Sequence, residues 1–83
     1  MSIADWNKTI EYANNLCNEL NEHGRNVRIR PYTMYDGRKG LYMQLFDCFN
    51  NFYNEYATGI WNTFDEMKRA LERTAQMIRN VTV

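Results

Sequence analysis

The chain has 83 residues, a formal net charge of zero and a mean hydropathy of -0.67. Such a length limits it to one compact domain over 1–83, and its apolar and charged fractions of 45% and 24% argue against a disordered chain. No run approaches the ~18–20 apolar residues that a membrane span needs. The start, Met1-Ser2-Ile3-Ala4-Asp5-Trp6, shows neither the basic nor the apolar segment of a secretion signal, which sets a cytoplasmic expectation. Cys17 and Cys48 are too few for a disulfide framework and are expected to stay reduced. Two features are uneven. Twelve residues are Phe, Tyr or Trp, more than so small a core must hold. The balanced charge also resolves into blocks. Residues 1–24 set Lys8 against Asp5, Glu11, Glu19 and Glu22; residues 25–39 set Arg25, Arg28, Arg30, Arg38 and Lys39 against Asp36. Residues 40–66 hold only Asp47, Glu55, Asp65 and Glu66; residues 67–83 set Lys68, Arg69, Arg73 and Arg79 against Glu72.

In chain order, Ser2 to Asp5 reads as a helix N-cap with an acidic residue three positions on. Ile3, Trp6, Ile10, Ala13, Leu16, Cys17 and Leu20 follow at spacings of three or four, one stripe of an amphipathic helix. Gly24 suits the left-handed residue that ends it, so a helix is predicted over 3–23. The period then becomes two. Val27 and Ile29 alternate with Arg28 and Arg30, and Pro31 marks an edge position or a bulge, giving a strand over 26–35. Asp36-Gly37-Arg38-Lys39-Gly40 is a turn. A strand over 40–48 follows, with Leu41, Met43 and Leu45 on one face and Tyr42, Gln44 and Phe46 on the other. Asn50-Asn51 turns the chain into a third strand over 52–58. Its parity stays open, because Phe52/Tyr56 and Tyr53/Ala57 are both plausible inward sets. Thr63-Phe64-Asp65-Glu66 is a capping box. Phe64, Met67, Leu71, Ala75 and Ile78 then form the stripe of a helix over 64–79, with a frayed tail after it.

Two helices with one apolar stripe each need one sheet face to cover. The prediction is therefore a two-layer α+β fold of order αβββα, an antiparallel meander with both helices on one face. The other sheet face would carry Arg28, Arg30, Tyr42, Gln44 and Phe46, with Tyr32 and Tyr35 near its rim. Tyrosine beside arginine is the composition of interaction hot spots, and it also suits base stacking with phosphate contacts. Equally, the aromatics can wrap over the sheet or fill a homodimer seam. Chemistry-bearing groups are sparse. His23, at the end of the first helix, reads as a solvated cap. Cys17 faces the core, and Cys48 follows the parity of Tyr42 and Phe46, so no Cys–Cys or Cys–His pair is expected. Gly37 and Gly40 fit no phosphate loop. Met34, Met43 and Met67 read as packing. No cofactor or metal is expected, and neither is an enzymatic role.

The order helix–strand–strand–strand–helix resembles the double-stranded RNA-binding domain. That family opens its last helix with a basic Lys-Lys-x-Ala-Lys motif. The matching stretch here is Thr63-Phe64-Asp65-Glu66-Met67-Lys68-Arg69-Ala70, where Lys68 and Arg69 keep the charge and Asp65 and Glu66 replace the leading lysines. In its whole-chain character, small, rich in Asn and Tyr and without catalytic motifs, the chain also resembles the phage-encoded anti-CRISPR inhibitors. That resemblance implies stoichiometric binding to a Cas effector in the host cytoplasm, blocking DNA loading or cleavage. Partner contacts are then expected from Arg28, Arg30, Tyr32, Tyr35, Arg38, Lys39, Tyr42 and Glu55, with arginines meeting acidic groups and tyrosines giving rigid contact area. A nucleic-acid-binding domain and a homodimeric module are the alternatives.

Overall fold

A computed structural model describes residues 1–82. The elements run α1 (Ile3–Glu22), β1 (Asn26–Thr33), β2 (Lys39–Phe46), β3 (Phe52–Ile60) and α2 (Phe64–Asn80). The strands pair antiparallel in the order β1-β2-β3. Both helices lie against one sheet face and against each other, as the two apolar stripes require.

The helix ends are set by their caps. Ser2 Oγ accepts the Asp5 N–H at 3.1 Å. Thr63 Oγ1 accepts the Glu66 N–H at 3.2 Å and donates to the Glu66 carboxylate at 3.0 Å. Each cap satisfies one of the donors that a helix start leaves open. In α1 the buried positions are Thr9, Ala13, Leu16, Cys17 and Leu20. Thr9 is tolerated there because its hydroxyl donates to Asp5 O at 2.8 Å. Ile3, expected in the stripe, is 82% exposed, and the fully buried positions of α1 begin only at Thr9. In α2, Met67, Ala70, Leu71, Thr74, Ala75 and Ile78 are buried. The expected fraying after 79 is corrected: Asn80 belongs to α2, and Val81 packs against the core. Position 83 lies outside the described residues.

Leu41, Met43 and Leu45 on the central strand are fully buried beneath the helices, with Val27 beside them on β1. The strand ends differ from the expected ones. β1 stops at Thr33, so Met34 and Tyr35 enter the turn, where the Met34 N–H bonds Arg38 O at 2.7 Å. β2 stops at Phe46, because the Asp47 carboxylate accepts the N–H groups of Phe49 and Asn51, each at 2.8 Å, and folds the chain back. Cys48 therefore sits exposed in this turn, not on the sheet face where strand parity placed it. β3 shifts register against β2 twice, between Gly40 and Tyr42 and between Leu45 and Phe46. Tyr53 is the extra residue in one shift; Thr58 and Gly59, opposite Leu41, make the other. Gly59 has φ +85, which glycine adopts without cost. As a result Phe52 pairs with Phe46 on the open face while Tyr56 pairs with Met43 on the core face. Neither of the two expected inward sets holds.

β1 is an edge strand. Asn21, on the last turn of α1, binds both backbone groups of Val27: its carbonyl accepts the Val27 N–H at 2.7 Å, and its amide donates to Val27 O at 3.1 Å. These groups therefore face away from β2. Pro31 shares the parity of Val27, so its missing N–H also faces outward and no ladder bond is lost.

Candidate functional site

The sheet face opposite the helices carries a side-chain ladder across all three strands. Arg30 on β1 sits directly opposite Tyr42 on β2, and its guanidinium lies 4.4 Å from the centre of that ring. It continues across the central strand to Glu55 on β3, a 2.9 Å ion pair. Gln44, opposite Glu55, donates to the same carboxylate at 2.8 Å. Bonded by Arg30 and then by Gln44, the Glu55 carboxyl is held below the usual glutamate range. The pair is exposed, so it orients the side chains more than it stabilises the fold. Tyr32 stacks on Tyr42 with ring centres 4.7 Å apart. Its ring also covers Gly40: a Cβ there would lie 2.5 Å from the Tyr32 ring, so a side chain at this position would have to push that ring aside. At the other end Arg28 lies 4.4 Å over the Phe46 ring, and Phe46 meets Phe52 edge to face at 6.0 Å. Asn50 Oδ1 accepts from Arg28 and from Asn26, tying the β2–β3 turn to the start of β1.

Of the eight residues singled out in the sequence, Arg28, Arg30, Tyr32, Tyr42 and Glu55 meet on this face. The other three do not. Tyr35 stands at the tip of the β1–β2 turn, 99% exposed. Arg38 and Lys39 line a cleft of about 530 Å³ at the end of the molecule, with Ile3 and Trp6 from α1, Ile60 from the end of β3 and Trp61 from the β3–α2 connection. Arg38 is held by Asp36 at 2.7 Å, and its backbone and side-chain hydrogen bonds keep the Asp36 carboxyl below its ordinary range. Lys39 Nζ lies 5.4 Å over the Trp6 ring. Sequence reasoning missed this cleft, because three segments far apart in the chain build it; its one signal was the placement of both tryptophans beside element ends.

The groups capable of chemistry are dispersed. His23 is the exposed C-cap of α1, Cys17 is buried and Cys48 is exposed in a turn, with no hydrogen bond between any two of them among the described residues. Burial pushes the Cys17 thiol up to about 11, which suppresses its thiolate. A thiol-disulfide dye is therefore expected to react with one thiol of the native protein, Cys48, and with the second only in denaturant. Two fast thiols at neutral pH would contradict the burial of Cys17. At α2, where the RNA-binding resemblance points, Asp65 and Glu66 occupy the first turn and Lys68 Nζ lies 5.5 Å over the Tyr12 ring. No described helix is long and apolar enough to cross a membrane. No protein-family model, curated protein or solved structure matches the chain.

Proposed function

We propose that the protein is a non-catalytic binding module that engages a protein partner through the uncovered sheet face and its Tyr35 rim. What supports this reading is the ladder of Arg28, Arg30, Tyr32, Tyr42 and Glu55, which holds arginine and tyrosine in fixed geometry on a face that no described helix covers. Preorganised side chains lose little entropy on binding, and arginine and tyrosine are the residue types that anchor interfaces. The finer proposal follows the resemblance to small phage-encoded inhibitors: the partner is a Cas effector complex, met in the host cytoplasm, and the arginines meet its acidic groups.

The test is a phage plaque assay in cells with active CRISPR immunity. Expression of the wild-type chain is expected to restore plaques. The Arg28→Glu/Arg30→Glu double variant and Tyr35→Ala are expected to lose the effect while keeping the native circular dichroism spectrum. A hot-spot loss of ~2 kcal/mol would weaken the complex about thirtyfold. Full interference in the presence of wild type, with no effector co-purifying, would remove the inhibitor reading. Salt-sensitive binding of duplex RNA, weakened at Lys68 and Arg69, would replace it with the nucleic-acid reading. A dimer in light scattering that the sheet-face variants dissolve would replace it with a homodimer.

A further inference from the structure

We propose that the cleft between Trp6 and Trp61 binds a small aromatic anion, a flat apolar ring system carrying one carboxylate. Its volume, about 530 Å³, falls in the range of small-molecule sites. Part of its lining is apolar and flat: both tryptophans of the chain line it, with Ile3 and Ile60 beside them, while Ser2, Asn7 and Asn62 add polar groups. Trp61 is a rigid wall, because its indole N–H is committed to Thr58 O at 2.7 Å. Gly59 makes room for that ring, since a Cβ at position 59 would come 3.2 Å from Trp61 Nε1.

Charge selects the ligand's other half. Arg38 and Lys39 face a single lining carboxylate, Asp36, and Arg38 is the one that Asp36 binds. Lys39 has no carboxylate within ion-pair distance among the described residues; its contact is the Trp6 ring. An inorganic anion would leave the cleft-facing edges of the two half-buried indoles in water, and a neutral ring would leave Lys39 without a counter-ion. A ring bearing a carboxylate meets both: the ring packs on the indoles while the carboxylate reaches an ammonium that already lies over Trp6.

The cleft carries its own reporters. In a ¹⁵N-labelled sample, titration with naphthalene-2-carboxylate is expected to shift both tryptophan indole N–H resonances saturably. The neutral naphthalene-2-carboxamide should bind more weakly. Lys39→Gln should weaken the carboxylate about fivefold, the effect of losing one half-exposed charge contact, and bring it level with the amide. Arg28→Gln, on the sheet face, should change neither affinity. The proposal is overturned if the indole signals do not saturate, if acid and amide bind equally to the wild type, or if Lys39→Gln leaves the carboxylate affinity intact. This inference is independent of the sheet-face reading, because Lys39→Gln perturbs the cleft alone and the plaque-assay variants lie outside it.

Discussion

Replacing Leu71 by alanine is expected to destabilise the protein by about 3 kcal/mol, within the range for fully buried leucines. Leu71 has no exposed surface, and it packs in the cluster that α2 shares with Leu41, Met43 and Leu45 of the central strand. The substitution removes apolar contact and leaves a void between two layers that a hydrogen-bonded sheet holds in place. Met43 and Met67, flexible side chains in the same cluster, can fill part of that void, which keeps the expected value away from the upper end. Alanine is also the better helix former, so the loss comes from packing and not from propensity. Domains of this size have only ~5–10 kcal/mol of total stability, so the variant should melt ~12–24 °C lower. Met77→Ala on the same helix is the control, since Met77 is largely exposed; it should stay within ~0.5 kcal/mol of wild type. Urea denaturation followed by circular dichroism measures both. A Leu71→Ala loss below ~1 kcal/mol would mean that α2 does not share the core of the sheet.

The elements that a sequence announces locally were legible in it. Both helices carry a cap and a stripe of period near 3.6, and both form where the pattern puts them, with Ile3 as the exception. The parity of β1 and β2 was legible too, because each alternates without interruption; it sorted Arg28, Arg30, Tyr42 and Phe46 onto one face correctly. β3 was not legible, because its alternation is broken twice. Gly59 carried a signal, since glycine inside a strand often marks a bulge. Tyr53 carried none: nothing local distinguishes an extra tyrosine in a bulge from one in register, and the pairing with β2 decides it. Phe52 was thereby separated from Tyr56, and it came to face Phe46.

The site divides along the same line. Glu55 was named as a partner contact, but its role as the far anchor of Arg30 depends on the β2–β3 register. The polar clasps were missed for a related reason. Asn50 read as a turn former and Asn26 as the first residue of a strand, yet they bind each other across 24 positions. The cleft was missed because it joins residues near 3–6, 36–39 and 60–62, and a period of two or 3.6 says nothing about which element ends come together. Asp36, Arg38 and Lys39 read as part of a turn, with Arg38 and Lys39 named as partner contacts; tertiary placement beside Trp6 and Trp61 is what gives them a common cavity.

Asn21→Ala should be the second most damaging of the predicted changes, about 2 kcal/mol, although asparagine on a helix surface is ordinarily replaceable at a gain. Asn18 gives the baseline. It is exposed on the same helix and makes no side-chain hydrogen bond among the described residues, so Asn18→Ala should stabilise α1 by ~0.5 kcal/mol through propensity alone. Asn21 differs because its amide imitates a neighbouring strand, pairing with both the N–H and the C=O of Val27. Val27 is only 2% exposed, so water can replace the amide poorly at either group. Two lost bonds at ~1 kcal/mol each, and more where a buried group stays unpaired, outweigh the propensity gain. The change should also show where it acts. The Val27 amide should lose hydrogen-exchange protection in Asn21→Ala and keep it in Asn18→Ala. The outer edge of β1, then guarded only by Pro31, should become more prone to edge-to-edge pairing, seen as concentration-dependent light scattering. If both variants instead gain stability equally, the clamp on Val27 contributes nothing, and the β1 edge must be protected by its proline alone.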